Sequence, residues 1–134
     1  MKPKFRAFWL KEKIMTNIDA IYFLEGGIKV ENGCCYSEFA EDGNVVLMQS
    51  TGIKDKNGVE IYEGDILKLH AIFLSPNDKI GYLEYYPKYG YSIIFEGNRL
   101  YRQKYWASTN KLNYEVIGNI YENPELLRED TKND

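Results

Sequence analysis

A mainly-β fold is what this sequence predicts, and three observations carry the prediction. Twelve Tyr, six Phe and two Trp stand among 134 residues, and aromatic enrichment favours pleated strands over helices. Short apolar or alternating runs recur at close spacing, separated by Gly, Asn-Gly and Asp-Gly, which is the punctuation of hairpins. No run of ten or more residues carries the 3.6-residue period of an amphipathic helix. Hydrophobic residues make up 44% and charged residues 28%, so the chain is globular rather than disordered. At this length one domain or two small ones are expected, with enough core to need no staples.

The elements follow in order. "KFRAFW" (4–9) and "KIMTNIDAIYFL" (13–24) read as strands around a charged turn at Leu10–Glu12, and Gly26-Gly27 ends the second. "IKVENGCCY" (28–36) holds Asn32-Gly33, a hairpin signal. "SEFAEDGN" (37–44) reads as a turn or a single helical turn closed by Asp42-Gly43, and "VVLMQ" (45–49) as a short strand. "KDKNG" (54–58) is a loop, because Asn57-Gly58 suits positive φ. Gly64-Asp65 is a second turn, launching the alternating strand "ILKLHAIFL" (66–74). "SPND" (75–78) turns the chain into "KIGYLEYY" (79–86), which Pro87 ends. "YSIIF" (91–95), "LYRQKYW" (100–106) and "YEVIGNIY" (114–121) are the remaining strands. Asn123 then caps a short helix with Pro124 at its first position.

This pattern gives a β-rich lobe over residues 1–50 and a small SH3-like β-barrel with a short terminal helix over 51–127. Residues 128–134 form a frayed tail.

Two blocks of sequence resemble a known family. In "VVLMQSTGIKDKNGVEIYEGDILK" (45–68) they are Gln49, Thr51, Gly52, Asp55, Asn57, Gly58, Ile61, Tyr62, Gly64, Asp65 and Ile66. In "YEVIGNIYENPELL" (114–127) they are Gly118, Asn119, Ile120, Tyr121, Asn123, Pro124 and Leu126. Together with the opening "KFRAFW", these look like the YopX family, small proteins encoded mainly by phages and prophages. Residues 69–113 match only in general character. The resemblance implies a two-part fold with an SH3-like barrel in the second part, and it implies oligomers. It brings no enzyme activity and no catalytic residues.

The chemistry of the chain also argues for binding over catalysis. The single histidine, His70, is expected on the polar face of a strand beside Lys68. Cys34, Cys35 and His70 have no recognised zinc spacing. The adjacent cysteines sit about 3.8 Å apart at Cα, too close for a relaxed disulfide, and read as packing residues. Glu60, Glu63 and Asp65 could be imagined around a divalent cation, but Asp65 is better read as accepting hydrogen bonds from its own turn. No phosphate-binding glycine loop precedes a helix. No metal, cofactor or enzyme activity is therefore expected.

No secretory leader and no stretch long enough for a membrane helix is visible, so a cytoplasmic protein is expected. The formal net charge is −3. Residues 1–13 carry five basic residues against Glu12, and residues 122–134 carry five acids against Arg128 and Lys132. Two solvated termini are the simpler account; the sharper one is head-to-tail pairing between subunits.

Two surfaces stand out for binding. "GYLEYYPKYGY" (81–91) holds Tyr82, Tyr85, Tyr86, Tyr89 and Tyr91. Tyrosine gives rigid contact area with a polar tip, so self-association, or contact with another phage or host protein, is the leading expectation. "RLYRQKYW" (99–106) mixes Arg99, Arg102 and Lys104 with Tyr105 and Trp106. Charge for phosphate and rings for bases is the recipe of a single-stranded nucleic-acid groove. That is the alternative, set against the negative net charge. Read as a strand, this segment puts Leu100, Arg102, Lys104 and Trp106 on one face, and Tyr101, Gln103 and Tyr105 on the other.

Overall fold

The computed structural model describes residues 4–33, 36–70, 79–107 and 114–127. The chain divides into two compact units, 1–50 and 51–134. It is mainly β, with three antiparallel sheets, one of them a half-barrel, and minimal helix.

In the first unit, β1 (Phe5–Trp9) pairs antiparallel with β2 (Ile14–Ile18) and with the start of β6 (Val45–Lys54). A second sheet has the order β3 (Ala20–Leu24), β4 (Gly27–Asn32), β5 (Tyr36–Glu41). Alternation places Ala7, Trp9 and Ile18 from the first sheet in one buried core with Ile28, Val30 and Ala40 from the second. The indole Nε1 of Trp9 donates to Thr16 Oγ1 at 2.9 Å, so the buried ring keeps its polar atom satisfied.

Two expectations are corrected here. The run 13–24 is not one strand. It breaks at Asp19, whose backbone N–H donates to Glu31 O at 2.8 Å and whose carboxylate accepts from Gly33 N. Held this way, the chain leaves one sheet and enters the other. Residues 37–44 do not form a turn or helical turn until Glu41 is passed. The polar run is strand β5 because β4 lies beside it, pairing Ile28 with Ala40 and Lys29 with Phe39. Tertiary pairing overrides local composition at such a site.

Strand β6 is twice the expected length and continues through Gly52 into the second unit, where its end neighbours β7 (Glu60–Tyr62). The five-stranded sheet there runs in the order β11, β10, β9, β8, β12. These are β8 (Asp65–Leu69), β9 (Lys79–Tyr86), β10 (Gly90–Phe95), β11 (Arg99–Tyr101) and β12 (Tyr114–Asn119). Its concave core joins Ile61, Leu67, Leu83, Ile93, Trp106 and Tyr114.

A third correction concerns 100–106. Only Arg99–Tyr101 is strand, and Gln103–Trp106 is a single α-helical turn, α1. The C-terminal helix is described at 125–127, and the expected tail at 128–134 lies outside the described residues. So do Cys34, Cys35, the "SPND" turn and the expected strand residues 71–74.

Candidate functional site

The first sequence block builds a bracket. Asp55 is buried, and its carboxylate collects three backbone amides. Oδ1 accepts from Asn57 N at 2.8 Å and Val59 N at 2.9 Å, and Oδ2 accepts from Val116 N at 2.8 Å. The first two bonds close the 55–58 loop, with Gly58 at φ +81° completing it. The third ties the loop to β12 in the second sequence block. Lys56 N adds a bond to Tyr114 O at 3.1 Å. Asp65, also buried, accepts from Tyr62 N at 2.7 Å and shapes the turn into β8.

The second block answers from its own end. Asn119 Oδ1 accepts from Tyr121 N and Glu122 N at 3.0 and 2.8 Å, and Ile120 N donates to Gly64 O at 2.8 Å. Asn123 was expected to cap the following helix. Its Oδ1 instead turns back to accept from Asn119 N at 3.2 Å, close against Gly118, where a Cβ would lie 2.6 Å from that oxygen. The residues at the heart of both blocks are thus occupied in holding β12 and the 55–58 loop in register.

His70 follows β8 rather than sitting within it, and it is half-buried, not exposed. Its Nε2 lies 2.7 Å from Glu115 Oε1, and Asn57 Nδ2 donates to Glu115 Oε2 at 3.3 Å.

The five tyrosines do not make one surface. Tyr82 and Tyr86 point to one side of β9 with Glu84, because strand side chains alternate. Tyr85 and Tyr91 face each other on the other side, with ring centroids 5.0 Å apart and planes at 62°. Tyr91 packs against the core. Burial pushes the Tyr82 and Tyr91 hydroxyls above the ordinary tyrosine range. The Tyr86 hydroxyl is raised by its bond to Glu84. Tyr89 sits at the β9–β10 turn, apart from the rest.

Tyr89 instead joins the basic segment. Helical turn α1 is fastened to β10 through both polar groups flanking one residue. Tyr91 N donates to Gln103 Oε1 at 2.9 Å, and Trp106 Nε1 donates to Tyr91 O at 2.7 Å. Gly90, at φ +76°, lets Gln103 come this close: a Cβ there would lie 2.4 Å from Oε1. So anchored, α1 sets the Arg102 guanidinium 4.4 Å over the Tyr89 ring. Lys88 approaches the same ring at 5.5 Å, and Lys104 approaches Tyr105 at 5.5 Å. An open groove of 460 Å³ lies here, lined among the described residues by Tyr89, Gln103, Lys104 and Ala107. Trp106 is fully buried and stacks edge-on against Tyr114, centroids 5.5 Å apart. It leaves the set of candidate contacts, because a helical turn rotates it into the core where a strand would have aligned it with Arg102 and Lys104. Arg99 pairs across from Phe95 on β11, at the far end of that strand.

A third surface lies on the outer face of β3-β4-β5. Tyr22, Lys29 and Phe39 form one row across the three strands. The Lys29 ammonium lies 5.4 Å over the Tyr22 ring, and the Phe39 ring covers Gly27. Tyr22, Leu24 and Phe39 remain 48%, 52% and 50% exposed. Sequence reasoning passed over them. The available signal was "AIYFL", apolar on both faces of a strand that has a core on only one.

Comparison with known proteins decides the relationship. The family model described as YopX protein matches residues 4–128. The chain belongs to the YopX family. The crystal structure of protein EF1440 from Enterococcus faecalis is similar at 30% sequence identity, over 95% of this chain and 99% of that one, with a TM-score of 0.58. No curated protein matches.

In this YopX chain the two sequence blocks meet in the Asp55–β12 bracket. Tyr114 offers a readout of the bracket. It is buried, and burial first, then the nearby Asp55 carboxylate, holds its hydroxyl above the ordinary tyrosine value of about 10. Below pH 10 the phenol is neutral in both folded and unfolded chains, and its contribution is fully present. As pH rises past 10 the unfolded chain ionises first, so stability falls through that window. Replacing Tyr114 by Phe should flatten the alkaline loss in thermal unfolding between about pH 9 and pH 11; an unchanged slope would assign the loss to other tyrosines.

Proposed function

We propose that this YopX-family protein acts by binding, not catalysis, and that it does so as a self-associating module in the cytoplasm of a phage- or prophage-bearing cell. On this reading the half-barrel is an SH3-like barrel, and the first unit supplies the contact between copies. The observation that carries it is the outer face of β3-β4-β5, where Tyr22, Leu24 and Phe39 stay about half exposed on a three-stranded sheet whose outer strands have no further neighbour among the described residues. Exposed aromatic area of this kind marks interaction sites. A second copy suits it because the face carries its own complement. Lys29 sits centrally, with Glu31 and Glu41 on the same side of the sheet, so a two-fold rotation sets unlike charges opposite each other.

The non-enzymatic reading rests on how the acid and imidazole groups are used. Asp55 and Asp65 are committed to backbone amides, and His70 to Glu115. A general acid or base needs to face a reacting group, and these face their own loops.

Light scattering coupled to size exclusion tests the proposal. The wild-type chain should run as an oligomer, and Tyr22→Ser with Leu24→Ser should shift it to monomer with its circular dichroism unchanged. A monomer at every concentration would remove the self-association reading.

A further inference from the structure

The groove beside α1 belongs to the second unit. We infer that it binds single-stranded nucleic acid, with Arg102, Lys104 and Lys88 taking phosphates and Tyr89 and Tyr105 offering stacking surfaces.

The argument starts from charge. The chain as a whole is acidic. Residues 88–107 reverse this, with Lys88, Arg99, Arg102 and Lys104 against one acid, Glu96. Folding gathers three of those four cations at one place and leaves Arg99 out. Lys88, Arg102 and Lys104 are exposed. Of the acids around it, Glu84 on β9 belongs to the opposite side of the strand, where it accepts from the Tyr86 hydroxyl at 2.9 Å, and Glu63 lies near enough to Tyr91 to help hold that hydroxyl neutral.

Geometry supplies the second half. Each cation lies against a tyrosine, Arg102 and Lys88 on Tyr89 and Lys104 on Tyr105. Tyr105 is 47% exposed. A guanidinium plane stacked on a ring presents a second flat surface, and bases stack on both kinds of plane. Beneath them the support is rigid. Gln103 and Trp106 hold both polar groups of Tyr91, so the turn that carries Arg102, Lys104 and Tyr105 does not swing with its side chains. An open groove suits an extended strand better than a small molecule, which prefers an enclosed, mostly apolar pocket. Duplex DNA would ask for a longer basic stripe to follow its two backbones.

The test is fluorescence anisotropy of a short labelled oligothymidylate with the full-length chain. Saturable binding is expected, and three phosphate contacts give a log–log salt slope of about −2, or roughly a 20-fold loss of affinity from 50 to 200 mM salt. Arg102→Ala with Lys104→Ala should lower affinity at least about tenfold and flatten most of that slope. Tyr105→Leu should weaken binding about fivefold or more with the slope kept, because stacking is lost and charge is not. Lys11→Ala, in the first unit, should leave binding unchanged. Circular dichroism of each variant separates lost binding from lost folding. No saturable binding, tighter binding to duplex of the same length, or a double variant that binds as well as wild type would each overturn the assignment. Since Tyr22 and Leu24 lie outside the groove, a monomeric result in the scattering experiment leaves this one standing.

Discussion

Replacing Asp55 by alanine is expected to lower the unfolding free energy by about 3–5 kcal/mol. The carboxylate serves Asn57 N, Val59 N and Val116 N at once. Hydrogen bonds to a charged acceptor contribute roughly 1.5–3 kcal/mol each, and a buried donor left alone costs about 1–3 kcal/mol. The bonds share one acceptor and are not additive, which keeps the total below their sum. Asp55→Asn separates the parts. One oxygen still serves the 55–58 loop, but an NH₂ now faces an N–H donor, so the tie to β12 or the loop is lost, and an intermediate loss is expected. Urea unfolding measures both. A loss under about 1 kcal/mol for the alanine variant would mean that water replaces the carboxylate freely, and the bracket would then not be what holds β12 in place.

Trp106→Ala should cost about 4 kcal/mol, within the usual range for emptying a buried aromatic site. Two effects combine there: the edge-on stack with Tyr114 is removed, and Tyr91 O loses its donor. Trp106→Phe keeps most of the volume and should cost about 1–2 kcal/mol, chiefly for the orphaned carbonyl. The variants also differ from the Asp55 pair in where they act. With the indole gone, α1 loses one of its two bonds to Tyr91 and keeps the one through Gln103, so trypsin should cut after Arg102 and Lys104 faster than in wild type under native conditions. Equal cleavage rates would show that the indole bond is not needed to fasten the turn.

Much of the framework was legible before any coordinates. The turn chemistry of Asp65 could be read because its donor, Tyr62 N, is three residues away. The Asn57-Gly58 loop and the strand at 79–86 follow from equally local rules. What misled was also local. Alternation in "LYRQKYW" is real, but four of its residues take a helical turn because Gln103 and Trp106 find the two sides of Tyr91's backbone, twelve and fifteen residues earlier. The tyrosine cluster looked like one surface because sequence proximity says nothing of the period-2 alternation that sends Tyr82 and Tyr85 to opposite sides. Strand β5 was hidden for a related reason: its partner β4 makes it a strand, and its own composition does not.

By itself the sequence determined the mainly-β class, the turn positions and the two blocks that mark the YopX family, because each depends on residues a few positions apart. Only the tertiary structure decided that Asp55 reaches across 61 residues to Val116. It likewise decided that Trp106 belongs to the core, and that Tyr89 joins Arg102 rather than its neighbouring tyrosines. A backbone donor or a ring face carries no signature in the sequence; which one a side chain meets depends on strand register and on how the sheet curls, and those are set by the whole core at once.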